Sequence, residues 1–203
     1  MEDLEVFELY INEESDWDGI EAISIVENPA IQEDFITLKS QEVQLAEVDS
    51  DKRILMGAAL IPNKKIIRRN ESGEYYIYFS EETVRKASEL FLSRGKQNNS
   101  TLEHEVIING LSVVESWIIE DDVHDKSRKY GLSTPVGTWM VAVKVNNESI
   151  WQEFVKTKRV KGFSIEGFFT DKATERPNES LEEELAAQES VDIIKQLINK
   201  IDD

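Results

Sequence analysis

The residues best suited to chemistry lie far apart in the chain. Ser164 sits in Lys161-Gly162-Phe163-Ser164-Ile165-Glu166-Gly167-Phe168-Phe169, an apolar, β-prone run with the serine between two glycines. A serine hydroxyl is a weak nucleophile until an adjacent base takes its proton. The chain has two histidines and no cysteine, so thiolate chemistry and disulfides are excluded and imidazole is the natural base. His104 lies in Leu102-Glu103-His104-Glu105-Val106-Ile107-Ile108, followed by Asn109-Gly110 and the apolar run Leu111 to Ile119. Two strand patterns around Asn-Gly are the strongest short hairpin signal, because a type I′ turn needs positive φ at both central positions. A two-residue loop there sets His104 across from Glu115, on one face, with Cβ atoms about 5 Å apart. A carboxylate so placed fixes the imidazole tautomer and steadies the imidazolium. The expectation is Ser164 as nucleophile, His104 as base and Glu115 as the acid behind it. Strand alternation puts Glu166 on the face of Ser164, making it a second candidate acid. Glu103 and Glu105 alternate away from His104.

Other readings of the same residues stand beside this one. A serine or a histidine in a strand is commonly structural. His124 lies in a charged loop and reads as solvated decoration. Lys144 or Lys161 offers a Ser-Lys dyad but reads more simply as surface charge. Two histidines and scattered carboxylates show no ligand spacing such as His-Glu-x-x-His, so neither a metal nor a cofactor is expected.

The elements that must position these residues follow from pattern. Val6–Ile11 reads as a strand, and Gly19–Ile31 as an alternating segment closed by Asn28-Pro29. Residues 53–62 form a buried strand pattern ending at Pro62, and together with Ile66–Arg69 and Glu74–Phe79 they suggest a β-meander. Ser80 caps a helix with Glu81 and Glu82 in its first turn, Val84, Ala87, Leu90 and Phe91 on one face, and Gly95 at its end. Thr138–Val145 is a further strand and Glu148–Lys158 a helix. Val191, Ile194, Leu197, Ile198 and Ile201 recur at helical spacing and predict a terminal amphipathic helix, suited to core packing, an oligomer contact or docking.

Charge is unevenly distributed along the 203 residues. The net charge is −18, with residues 1–51 at −15, residues 171–203 at −6, and the middle at +3. This acidity disfavours nucleic acid as a ligand. No apolar run approaches the roughly 20 residues of a bilayer span, and the acidic start argues against a signal peptide. The expected organisation is an acidic N-terminal strand segment and linker over 1–51, a body over 52–172, and an acidic linker and helix over 173–203.

The order of these motifs resembles the phage prohead (capsid maturation) serine proteases, in the XkdF-like branch. The resemblance rests on Ala22–Ile31, Glu74–Ile77, the histidine of Leu102-Glu103-His104, Val113–Ile118, Gly137–Met140 and Lys161–Gly167. It implies an α+β fold, a small, mostly antiparallel β-barrel flanked by helices as in herpesvirus assemblin, with histidine preceding serine. It implies Ser164 as nucleophile and His104 as general base. Assemblins use a second histidine after the serine, whereas no histidine follows Ser164, which leaves an acid or a bare dyad. The implied substrates are phage scaffolding and major capsid proteins, cleaved inside the prohead in the host cytoplasm, with no nucleic-acid or membrane partner. A non-catalytic capsid assembly or scaffold-binding module is the rival reading.

Overall fold

The computed structural model describes residues 4–12, 14–27, 36–38, 52–70 and 73–172. The chain folds into twelve named strands: β1 (Val6–Tyr10), β2 (Gly19–Val26), β3 (Ile36–Leu38), β4 (Ile54–Leu60), β5 (Ile66–Asn70), β6 (Gly73–Phe79), β7 (Ser100–Leu102), β8 (Val106–Ile108), β9 (Leu111–Ile118), β10 (Trp139–Val145), β11 (Gly162–Phe168) and β12 (Thr170–Lys172). They make three four-stranded sheets, ordered β12-β1-β6-β5, β3-β4-β10-β9 and β11-β2-β7-β8. The described residues are thus mostly β with few helices. The expected closed barrel is not what the described strands form: each sheet is open, and the three share a core instead of closing on themselves.

The helices follow local chemistry. In α1 (Glu81–Ser93) the Ser80 hydroxyl accepts from the Thr83 N–H, and Val84, Ala87 and Phe91 are buried. Phe91 packs edge-on against Trp139 at 5.5 Å between centroids. The helix expected over 148–158 is shorter and changes pitch: α2 (Glu148–Ile150), capped by Asn147, runs into a π-helical turn over Trp151–Val155. Ile150, Trp151 and Val155 are buried as the spacing required. The amphipathic pattern over Leu181–Ile201 lies outside the described residues. No helix among the described residues is long and apolar enough to cross a membrane.

One topological expectation is corrected, and the place of the N-terminal strands follows from their pairings. β4 does not continue into a meander with β5. It pairs with β3 and β10, while β5 pairs with β6 in another sheet. The strands of the acidic N-terminal segment are built into the body: β1 lies between β12 and β6, and β2 between β11 and β7. Both β1–β6 and β2–β7 are parallel. Parallel neighbours need long crossovers, so no local sequence pattern announces them.

Candidate functional site

The site is assembled on the β11-β2-β7-β8 sheet. Ser164 of β11 is the register partner of Ser24 on β2, and Ser24 is in turn the partner of Thr101 on β7. Directly paired residues share a face, so Ser164, Ser24 and Thr101 line up across three strands, with Glu166 two positions along β11 on that face. The other face is apolar: Phe163, Ile23 and Ile25 are buried in the core. Alternation along β11 and β2 thus makes a polar row on one side by burying the other.

Gly167 fixes where Glu166 stands. The β11–β2 pairing shifts register between Glu166 and Gly167, with Glu21 as the extra residue on β2. A Cβ at Gly167 would lie 2.1 Å from the Gly19 carbonyl oxygen, so only glycine permits this approach.

His104 stands in a tight turn between β7 and β8, where the sequence suggested a strand. Leu102 pairs with Val106, the Glu105 N–H donates to the Leu102 carbonyl at 3.0 Å, and Glu103 and His104 have φ of 53° and 61°. These are the positive dihedrals of a type I′ hairpin, held without glycine. Each left-handed non-glycine residue costs roughly 1–2 kcal/mol. Contacts with β2 oppose that strain. The Glu103 N–H donates to the Ile25 carbonyl at 3.1 Å, the Glu27 N–H to Glu103 Oε1 at 2.7 Å, and the His104 N–H to Ser24 Oγ at 3.1 Å. Ser24, fully buried, donates onward to the Thr101 carbonyl at 3.4 Å.

The turn brings the imidazole to Glu166. His104 Nδ1 lies 3.0 Å from Glu166 Oε1, and the same oxygen accepts from the Thr101 hydroxyl. With its side chain 40% exposed and that of Glu166 30% exposed, the pair is reachable from solvent. Engagement of Nδ1 leaves Nε2 as the nitrogen able to serve another group, the arrangement in which a carboxylate orients a general base.

The hairpin expected at Asn109-Gly110 is not formed, and with it goes the pairing of His104 with Glu115. β8 pairs with β7, and β9 pairs with β10, so the two strands flanking Asn109-Gly110 belong to different sheets. Gly110 has the positive φ of 84° the signal implied, but Asn147 Nδ2 and the Asn146 N–H bind the Asn109 and Gly110 carbonyls, turning the chain toward the end of β10. Glu115 instead pairs with Lys126, whose ammonium lies 3.8 Å from the centre of the Trp117 ring. Burial lowers the Lys126 pKa. His124 sits on an exposed turn, its Nδ1 2.9 Å from Asp121 Oδ2. Hydrogen bonds from the His124 and Val123 N–H groups to Asp121 hold that carboxyl down at about 2, the His124 bond contributing most.

The structure therefore brings His104 to Glu166, two residues along β11 from Ser164, and leaves Glu115 elsewhere. Over residues 42–173 the sequence matches the model of a family described as "Putative phage serine protease XkdF". The chain belongs to that family. No curated protein and no solved structure matches it. Ser164, His104, Thr101 and Glu166 all fall within the matched segment, whereas Ser24 and the rest of β2 lie before it. Sequence reading missed Ser24, Thr101 and the tether from Glu103. Their importance comes from the parallel β2–β7 pairing, which has no local signature. Thr101 alone gave a hint, being three residues from the histidine in a β-prone run. No group of three or more His, Asp or Glu side chains suited to a metal ion occurs among the described residues.

Proposed function

We propose that the protein is a serine endopeptidase that cleaves scaffolding protein, or scaffold-like segments of the capsid protein, inside the immature phage head. The observation that supports it most is the 3.0 Å contact of His104 Nδ1 with Glu166, two residues from Ser164 on one strand face, in a chain of a phage serine protease family. In this reading Ser164 Oγ attacks the scissile carbonyl carbon and His104 Nε2 takes the hydroxyl proton. The C–N bond then breaks, the amine leaves with that proton, and an acyl ester remains on Ser164. Water, deprotonated by His104, hydrolyses the ester and restores the serine. Glu166 replaces Glu115 as the acid that orients His104 and stabilises its cation, and Thr101 holds Glu166 in place.

The test is co-expression of the full chain with the scaffolding and major capsid proteins of its phage. Wild type is expected to shorten one of them, and Ser164→Ala and His104→Ala to leave both intact while still folding. Processing that persists in Ser164→Ala would sink the protease reading and favour a non-catalytic assembly module.

A further inference from the structure

The edges of the sheets are not equally guarded. β5, at the edge of β12-β1-β6-β5, follows exposed Lys65 and carries exposed Arg68 and Arg69, charged side chains of the kind that keep another strand from adding. β8, at the edge of β11-β2-β7-β8, has no such charge: its residues are Val106, Ile107 and Ile108. Val106 is 53% exposed and Ile107 81%, the highest value among the large hydrophobic residues described. Consecutive strand residues point to opposite faces, so this margin of the sheet is open on both sides. Beyond the pairing with β7, no backbone hydrogen bond to Val106 or Ile107 occurs among the described residues. An apolar edge with outward backbone groups is a template for one more strand.

The charge beside the edge selects the occupant. Glu103 and Glu105 are exposed in the turn that leads into β8, and exposed Glu27 is tied to that turn through its N–H on Glu103. None of the three pairs with a lysine or arginine among the described residues. Lys161 stands at that end of the sheet, its N–H on the Val26 carbonyl, and is not among their partners. A second copy of a chain at −18, or this chain's own residues 171–203 at −6, would bring like charge to that end.

We propose that the free edge of β8 captures a short extended segment of the substrate by strand addition, and that this segment alternates aliphatic side chains with lysine or arginine. β8 begins two residues after His104 and lies three strand spacings, about 14 Å, from β11. The captured residues are therefore at least about four extended residues from the bond held at Ser164. The link to turnover rests on the protease reading; the capture itself does not.

The experiment is fluorescence polarisation of a labelled heptapeptide alternating lysine and valine, titrated with full-length Ser164→Ala protein. Saturable binding is expected. Glutamate in place of the lysines should weaken it about tenfold or more, and so should Ile107→Lys, which guards the edge. Val106→Lys tests the same edge with a second variant. N-methylation of alternate peptide residues should abolish binding in one register and spare it in the other, because only one set of N–H groups faces β8. In co-expression with the scaffolding and major capsid proteins, Ile107→Lys should slow processing about tenfold while Ser164 reacts with a fluorophosphonate at the wild-type rate. Equal binding in both N-methylated registers, or binding and processing indifferent to both edge variants, would overturn the proposal. So would a wild-type dimer that Ile107→Lys dissociates, since a second copy would then hold the edge. A wild-type protein that binds the peptide but neither labels at Ser164 nor processes either protein would remove the protease reading and leave the capture standing.

Discussion

At the scale of single residues, two glutamates compete for the place behind His104, and they can be told apart by substitution. Glu166 touches His104 Nδ1, whereas Glu115 is engaged by Lys126. Glu166→Gln keeps the shape but withdraws the charge that stabilises an imidazolium, and should lower kcat by on the order of 10⁴-fold, as loss of such a carboxylate does elsewhere. Glu115→Gln should leave turnover within about twofold. Thr101 acts through Glu166 as a positioning residue. Loss of its hydrogen bond to a carboxylate amounts to about 1.5–3 kcal/mol, or roughly ten- to hundredfold in turnover for Thr101→Val. Thr101→Ser restores the hydroxyl and should recover most of it. A kcat–pH profile altered in Thr101→Val and returned to wild-type form in Thr101→Ser would separate positioning from a general loss of fold. The exposed turn at Asp121 has its own pH signature. Its carboxyl is held at about 2, below its unfolded value, so the stabilisation from the Val123 and His124 N–H groups is present above the unfolded pKa. It is lost as pH falls through about 2, and the protection of the Val123 and His124 amides, relative to their intrinsic exchange rates, should fall in that window and be unchanged between neutral pH and 5.

Between residue and molecule stand the strands and turns that aim the site. The β7–β8 turn holds two strained residues against β2, and the register shift beside Gly167 sets the position of Glu166. Gly167→Ala drives a methyl into the Gly19 carbonyl and should destabilise the protein by about 1–3 kcal/mol, the range for overpacking, with a matching fall in Tm. Much at this scale was legible in the sequence. Ser80, Glu81 and Glu82 marked the start of α1, and the Gly162–Phe168 strand and the buried residues of β10 followed from their patterns. The failures share one cause. Asn109-Gly110 has the dihedral its composition demands, yet it redirects the chain between sheets. The hairpin is made instead by Glu103 and His104, whose side chains argue against positive φ. Contacts with β2, some 75 residues away in sequence, override local preference there. A histidine in such a turn cannot be found from alternation, which is why the strand register put Glu115 behind His104 and left Glu166 as the second candidate.

For the molecule as a whole, the site depends on strands from both ends of the body. β1 is an interior strand, between β12 and β6, and β2 supplies Ser24 and Ile25 to the histidine turn. The family match begins only at residue 42, yet the fold around the site is incomplete without the preceding strands. Removing residues 1–12 should therefore abolish cooperative thermal unfolding, where a dispensable acidic extension would leave Tm unchanged. The barrel was implied by the family resemblance, and strand patterns could not test it: strand count and alternation are the same for a closed barrel and for open sheets, and only the pairing partners distinguish them.

The proposed mechanism makes Ser164 a nucleophile activated by His104. A fluorophosphonate tests it without knowledge of the substrate, because Oγ displaces fluoride at phosphorus and the adduct can be mapped by peptide mass spectrometry. The account predicts one modified residue, Ser164, with labelling abolished in Ser164→Ala and slowed by orders of magnitude in His104→Ala. Labelling at another serine, or at a rate indifferent to His104, would contradict it.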